Sequence, residues 1–222
     1  MKTSSFLSSG IFVFSLLLLA PSAWAANDPD LSGRVIFVDG DVTANGRVTD
    51  TGDLLTGPTI LKTGKASTIE VVFAGKNIFR LGANTTVKID FAELKKTVTL
   101  EKGVFTSVLK KLAQATGSAS FLLKTPTTNA GVRGTSFHVS TDGNSTYFCT
   151  CNGSVTLDDG NPADLVQLTN AHHGARVFTR GSDGKVSVTT AGLEGHTDAS
   201  IETLARRVAV AVDWTQPDLK HE

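Results

Sequence analysis

Cysteine is scarce in this 222-residue chain: there are two, beside one methionine, one tyrosine and two tryptophans. Two cysteines allow at most one internal disulfide, which excludes a disulfide-held scaffold. Charge of one sign is lacking as well, with 21 Lys plus Arg against 21 Asp plus Glu. A nucleic-acid partner would need a basic surplus and a lipid surface a polybasic run, so neither is expected. Beyond the N-terminal segment no apolar run is long enough to span a bilayer. Helical periodicity is sparse, which excludes an α/β enzyme fold. The Ser, His and Asp residues stand in no nucleophile-elbow or related signature, so no enzyme is expected.

What is present begins with an export signal. Lys2 precedes the apolar run Ile11 to Ala20, and Ala23-Trp24-Ala25 is the small-x-small pattern cut by signal peptidase. Residues 1–25 read as a signal peptide, which places the chain in the periplasm or outside the cell. Its removal leaves 20 basic against 21 acidic residues. Residues 26–31 read as a leader.

From there the pattern is that of strands. Val35-Ile36-Phe37-Val38 runs into the turn Asp39-Gly40-Asp41, and Asn45-Gly46 is a second hairpin signal, because Asn, Asp and Gly tolerate positive φ. Thr85 to Asp90 and Lys96 to Leu100 alternate apolar and polar residues, and Glu101-Lys102-Gly103 reads as a turn before Val104-Phe105. Ser107 to Thr116 is less strand-like and fits a short helix or loop. Many short strands with regular turn signals predict an all-β, mainly β fold: a sandwich, barrel or solenoid. One helix is predicted, over 198–213, from the spacing of Ile201, Leu204, Ala205, Val208 and Val212, with Asp198 as N-cap and Glu202 in its first turn.

Thr125-Pro126 followed by Gly131-Val132-Arg133-Gly134-Thr135-Ser136-Phe137-His138-Val139 resembles the signature of the FecR domain, a periplasmic all-β module. Gly40-Asp41-Val42, Gly52 to Gly57, Phe79 to Thr85 and Leu100 to Val104 match the family's earlier elements in order. The resemblance covers residues 32–158 and leaves 159–222 as an extension with short strands and the helix. It implies a role in envelope binding or sensing, with an envelope protein or small ligand as partner. In the namesake, the domain is the outer part of a membrane-spanning regulator that relays transporter occupancy to a sigma factor. This chain departs from that plan by its cleavable signal, so the fold and the general role are what carry over. Read physically, Gly131 and Gly134 bracket a tight bend, Arg133 caps backbone carbonyls in the turn or else reaches an anion, and His138 is a half-buried strand residue.

Both cysteines lie in Tyr147-Phe148-Cys149-Thr150-Cys151-Asn152-Gly153, a predicted strand. Period-2 alternation puts Cys149 and Cys151 on one face and Thr150 on the other. Histidines follow at His172, His173 and His196, the last beside the predicted helix start. These residues, with Asp198 as ligand or neighbour, form a candidate metal site for Zn(II), or for Cu(I) on the two thiolates. On a strand His172 and His173 would point to opposite faces, so one of them would join. Two other readings stay open. A Cys149–Cys151 disulfide is reachable but strained, since extended i and i+2 Cα atoms lie roughly 6.5–7 Å apart, and it would act as a redox switch. Alternatively the thiols are small core residues, no cofactor is bound, and the protein is a structural interaction domain. Tyr147 is expected to pack beside the cysteines, and Trp214 to anchor the end of the helix.

Overall fold

The structure is a computed structural model that describes residues 31–93, 95–110, 121–160 and 165–217. The expected signal peptide, residues 26–30 of the expected leader, the later part of the Ser107 to Thr116 stretch and the terminal His221 lie outside the described residues. Numbered along the chain, the strands form two sheets. The first runs edge to edge as β4 (Leu54–Thr56), β1 (Ser32–Asp39), β6 (Thr68–Phe73), β7 (Asn77–Leu81), β9 (Lys96–Val108), β12 (Ser136–Thr141), β13 (Ser145–Asp158), β15 (Gly174–Arg180) and β16 (Val186–Ala191). The second runs as β3 (Arg47–Val48), β2 (Val42–Ala44), β5 (Pro58–Thr63), β8 (Thr86–Asp90), β9, β10 (Phe121–Lys124), β11 (Asn129–Val132), β13 and β14 (Val166–Asn170). Neighbouring strands are antiparallel except β9 and β10.

Two strands belong to both sheets. The first half of β9 pairs with β8 and β10, and from Gly103 onward it pairs with β12 and β7. In the same way β13 pairs with β12 and β15 up to Asn152 and with β11 and β14 from Gly153. Each crossing point is a glycine at positive φ, +101° at Gly103 and +121° at Gly153. A Cβ at Gly103 would meet the Thr85 backbone, and one at Gly153 would sit 2.8 Å from Thr135 Oγ1. Gly103 is therefore a bend inside one long strand and not the turn its Glu-Lys-Gly context suggested. With both strands shared, β9, β12, β13, β11 and β10 close a ring, the barrel-like core to which the other strands are added.

Aromatic residues fill the space between the sheets. Phe79, Phe105, Phe137 and Phe148 stack in succession across β7, β9, β12 and β13, with centroids 5.2, 5.9 and 5.6 Å apart, and Phe121 from the second sheet closes on Phe105 and Phe137. Offset rings at such spacings add to their burial energy.

The outer face of the first sheet is covered as well. Helix α1 (Asp198–Arg206) buries Ile201, Leu204 and Ala205 against Ile78, Val108, Tyr147, Cys149 and Cys151. It stops at Arg206, earlier than the 198–213 expected from periodicity. Ala209 takes φ +54° and the Val210 N–H donates to Ala205 O at 3.0 Å, which reverses the chain while Val208 and Val210 stay buried. Beyond the helix, Arg207 Nε lies 3.1 Å from Oε2 of buried Glu70, an ion pair without hydrogen-bond alignment, and Glu70 Oε1 accepts from Arg80 at 2.6 Å. No helix among the described residues is long and apolar enough to cross a membrane.

Candidate metal centre

Strand β13 delivers the two sulfurs. Tyr147, Cys149 and Cys151 face the helix while Phe148 faces the aromatic core, as alternation requires. Cys149 and Cys151 are both fully buried free thiols, with Sγ atoms 4.0 Å apart. Beside them on β12, His138 is the register partner of Cys149.

The histidines reach the sulfurs from two further segments. His172 and His173 lie in the turn between β14 and β15, not on a strand, and His173 has φ +44°. That turn, fixed by the His173 N–H donating to Cys151 O at 3.0 Å, lets both rings point the same way, so the expected division between opposite faces does not arise. His173 places Nδ1 3.5 Å from Cys149 Sγ. His196, ahead of α1, places Nε2 3.3 Å from Cys151 Sγ. Cys149, Cys151, His173 and His196 thus present four donor atoms within 4.8 Å of one another, and His172, His173 and Asp198 form a second such group.

Each ring is held from behind. His196 Nδ1 donates to Glu194 O at 2.8 Å, which leaves the Nε2 lone pair toward the sulfur. His173 Nε2 lies 2.7 Å from Asp198 Oδ1, and His172 Nε2 lies 2.9 Å from Asp198 Oδ2. The expected N-cap role of Asp198 belongs instead to Thr197, whose side chain accepts from the Ser200 N–H while the Ser200 hydroxyl closes a capping box. Asp198 is therefore free to hold both histidines. Trp214 donates from Nε1 to Glu202 Oε1 at 2.9 Å, tying the tail to the helix, and its ring packs on His172 and His173 at 5.0 and 5.2 Å.

The electrostatics follow from this packing. The S–H of Cys151 donates to Cys149, and with His196 and His173 it brings the Cys149 thiol down to about 4 against the opposing effect of burial. Burial and the neighbouring Cys149 push Cys151 the other way. The two sulfurs behave as a pair that keeps one proton. Asp198 is held below the usual carboxylate range by the hydrogen bond from His173 and then that from His172. Burial also raises the Tyr147 hydroxyl, which donates to Gly192 O at 2.9 Å and accepts from the Glu194 N–H at 3.1 Å.

Several contributors carry no signal in the sequence. His138, expected to be half-buried, is 2 % exposed under the helix. It stacks on His196 at 4.3 Å and shares a 2.8 Å hydrogen bond with Thr106 Oγ1. Burial, then the charge of His196, lowers it to about 3. The Asn152 amide donates to Ala171 O, Asp213 O and Gln216 O, pinning the turn and the tail to β13. The Thr197-x-x-Ser200 spacing was the one legible cue, as a capping box competing with Asp198. In the signature segment, Gly134 has φ +57° while Gly131 pairs regularly within β11, so one of the two glycines makes the bend.

Similarity to known proteins covers part of this site. Residues 59–156 match the family FecR, described as FecR protein, so the resemblance carried by the motifs holds over that stretch. Two crystal structures of a "putative anti-sigma factor" from Parabacteroides distasonis ATCC 8503 align with TM-scores of 0.48 and 0.47, at 17% and 16% identity. The alignments cover 60% and 59% of this chain and the same shares of those chains. No curated protein matches. His173, His196 and Asp198 fall outside the matched residues, while Cys149 and Cys151 fall inside.

Proposed function

We propose that this protein is an exported FecR-type binding and sensing module whose ligand is a thiophilic metal ion, with Zn(II) ahead of Cu(I). The FecR domain supports the envelope-sensing role. The convergence of two sulfurs and two imidazole nitrogens from three chain segments within 4.8 Å supports the metal. A tetrahedron with Zn–S near 2.3 Å and Zn–N near 2.0 Å has S···S of about 3.8 Å and S···N of about 3.5 Å. The present separations of 4.0, 3.5 and 3.3 Å need only small adjustments to meet it. His173 backed by Asp198 and His196 backed by Glu194 O have the supporting bonds that orient imidazole ligands toward a metal. Four protein donors leave no open position, which favours binding over catalysis.

A second reading has its own observation. Cys149, His173 and Asp198 line up as thiol, base and carboxylate, and the Cys149 thiol is lowered to about 4. Cys149 is 0% exposed, however, so no substrate bond has access to its sulfur. Elemental analysis of the native protein separates the readings. About one Zn per chain is expected, lost in the Cys149→Ser, Cys151→Ser double variant together with any stabilisation by added Zn(II). Metal-free protein that Zn(II) does not stabilise, with Cys149 rapidly alkylated by iodoacetamide, would overturn the metal reading in favour of the thiol one. A two-dalton mass deficit reversed by mild reductant would instead point to the disulfide.

A further inference from the structure

His173 is shared between two donor groups, and the two groups differ in access and in chemistry. Its Nδ1 faces the buried sulfurs, whereas its Nε2 faces Asp198. The His173 side chain is 10% exposed, while those of His172 and Asp198 are 52% and 42% exposed. From solvent inward the donors therefore change from imidazole and carboxylate to imidazole and thiolate. Hard and borderline donors hold a hydrated divalent cation loosely, and thiolates hold Zn(II) tightly, so affinity rises along the same direction. Trp214 lies against both histidines at 5.0 and 5.2 Å and forms an apolar side wall.

We propose that His172 and Asp198 form an outer docking position for a divalent cation, which loads and unloads the inner site through His173. This rests on the metal reading above. Asp198 is the anionic member that attracts the cation, and its two oxygens already hold His172 Nε2 and His173 Nε2 at 2.9 and 2.7 Å. Rotation of the exposed His172 ring delivers the cation beside His173, whose ring is the last barrier before Cys149.

A residue that a cation crosses on its way into a site, without remaining bound to it, changes the rates of entering and leaving by one factor and leaves the equilibrium constant alone. A ligand of the site changes the affinity instead. His172→Gln keeps the size and a hydrogen-bonding group but removes the imidazole. In the full chain, Zn(II) association and its transfer to excess chelator are followed by stopped flow, with Co(II) absorption reporting the inner thiolates. Both rates are expected to fall about tenfold in His172→Gln, with Kd changed less than threefold and an unchanged melting temperature of the metal-free protein. Equal rates in the two proteins overturn the docking position and leave the metal reading standing. Weaker binding with an unchanged association rate also overturns it, by making His172 a ligand. A wild-type protein that takes up neither Zn(II) nor Co(II) overturns both proposals.

Discussion

One strand, β13, presents two faces that are held together by different physics. Phe148 joins a stack of phenylalanines between the sheets, where many weak contacts act without direction. Cys149 and Cys151, on the opposite face in the alternation, meet the rings of His173 and His196, the first of them held by Asp198, through a few directed contacts. The aromatic side is built mainly from residues up to Asp158, with Leu168 and Phe178 added from later strands, and its stack holds no titratable group. Its opposite is assembled from distant segments and consists of thiols, imidazoles and a carboxylate, groups that can gain or lose protons. The lesson is that undirected aromatic packing and directed polar contacts can share a single strand without sharing an energy source.

The largest expected effect tests the aromatic side alone. Phe137→Ala removes a ring stacked on both Phe105 and Phe148. It should cost about 3–5 kcal/mol in urea unfolding, by the same amount with and without chelator. A loss that grows only when metal is present would break the separation of the two faces. Next comes pH. Since His138 drops from 6.5 to about 3 in the folded protein, the unfolded state takes up a proton that the native state refuses in that window. Stability should be full above pH 6.5 and fall as pH decreases toward 3, by at most about 1.4 kcal/mol per pH unit from this group. His138→Gln should flatten the slope, as measured by unfolding at successive pH values in chelator; an unchanged slope would mean that other groups carry the acid sensitivity. The smallest effect sharpens the link between cap and site. Thr197→Ala removes the helix cap and should cost about 1 kcal/mol, and because Asp198 is the next residue it should also weaken Zn(II) binding in a titration. Stability lost with metal affinity intact would show that Asp198 is positioned without its cap.

Much of this was legible in the sequence, and the limits have physical causes. Alternation in Tyr147 to Cys151 depends only on the pleat, so the shared face of the sulfurs followed from their spacing. The FecR signature is local chain and survives translation into strands β11 and β12. What escaped depends on bending or on tertiary context. Gly103 and Gly153 read as strand ends because glycine marks both a turn and a bend, and only the pairing partners tell them apart. The positive φ of His173 overrode the strand expectation and brought His172 to the same side. The burial of His138 depends on a helix that begins sixty residues later, and no local pattern records it. The helix end was misplaced because Val208 and Val212 still pack on the same apolar cluster after the chain has turned back.

The order of the donors along the chain carries a consequence of its own. The ring of β9, β12, β13, β11 and β10 is complete once Asp158 has been made, whereas His173 comes later and His196 and Asp198 later still. Chains are made and emerge N-terminus first. A growing polypeptide can therefore close this ring while it carries two thiols and His138 but neither His173 nor His196. The four donor groups are all present only once His196 has been made, so the order of emergence sets when they first meet.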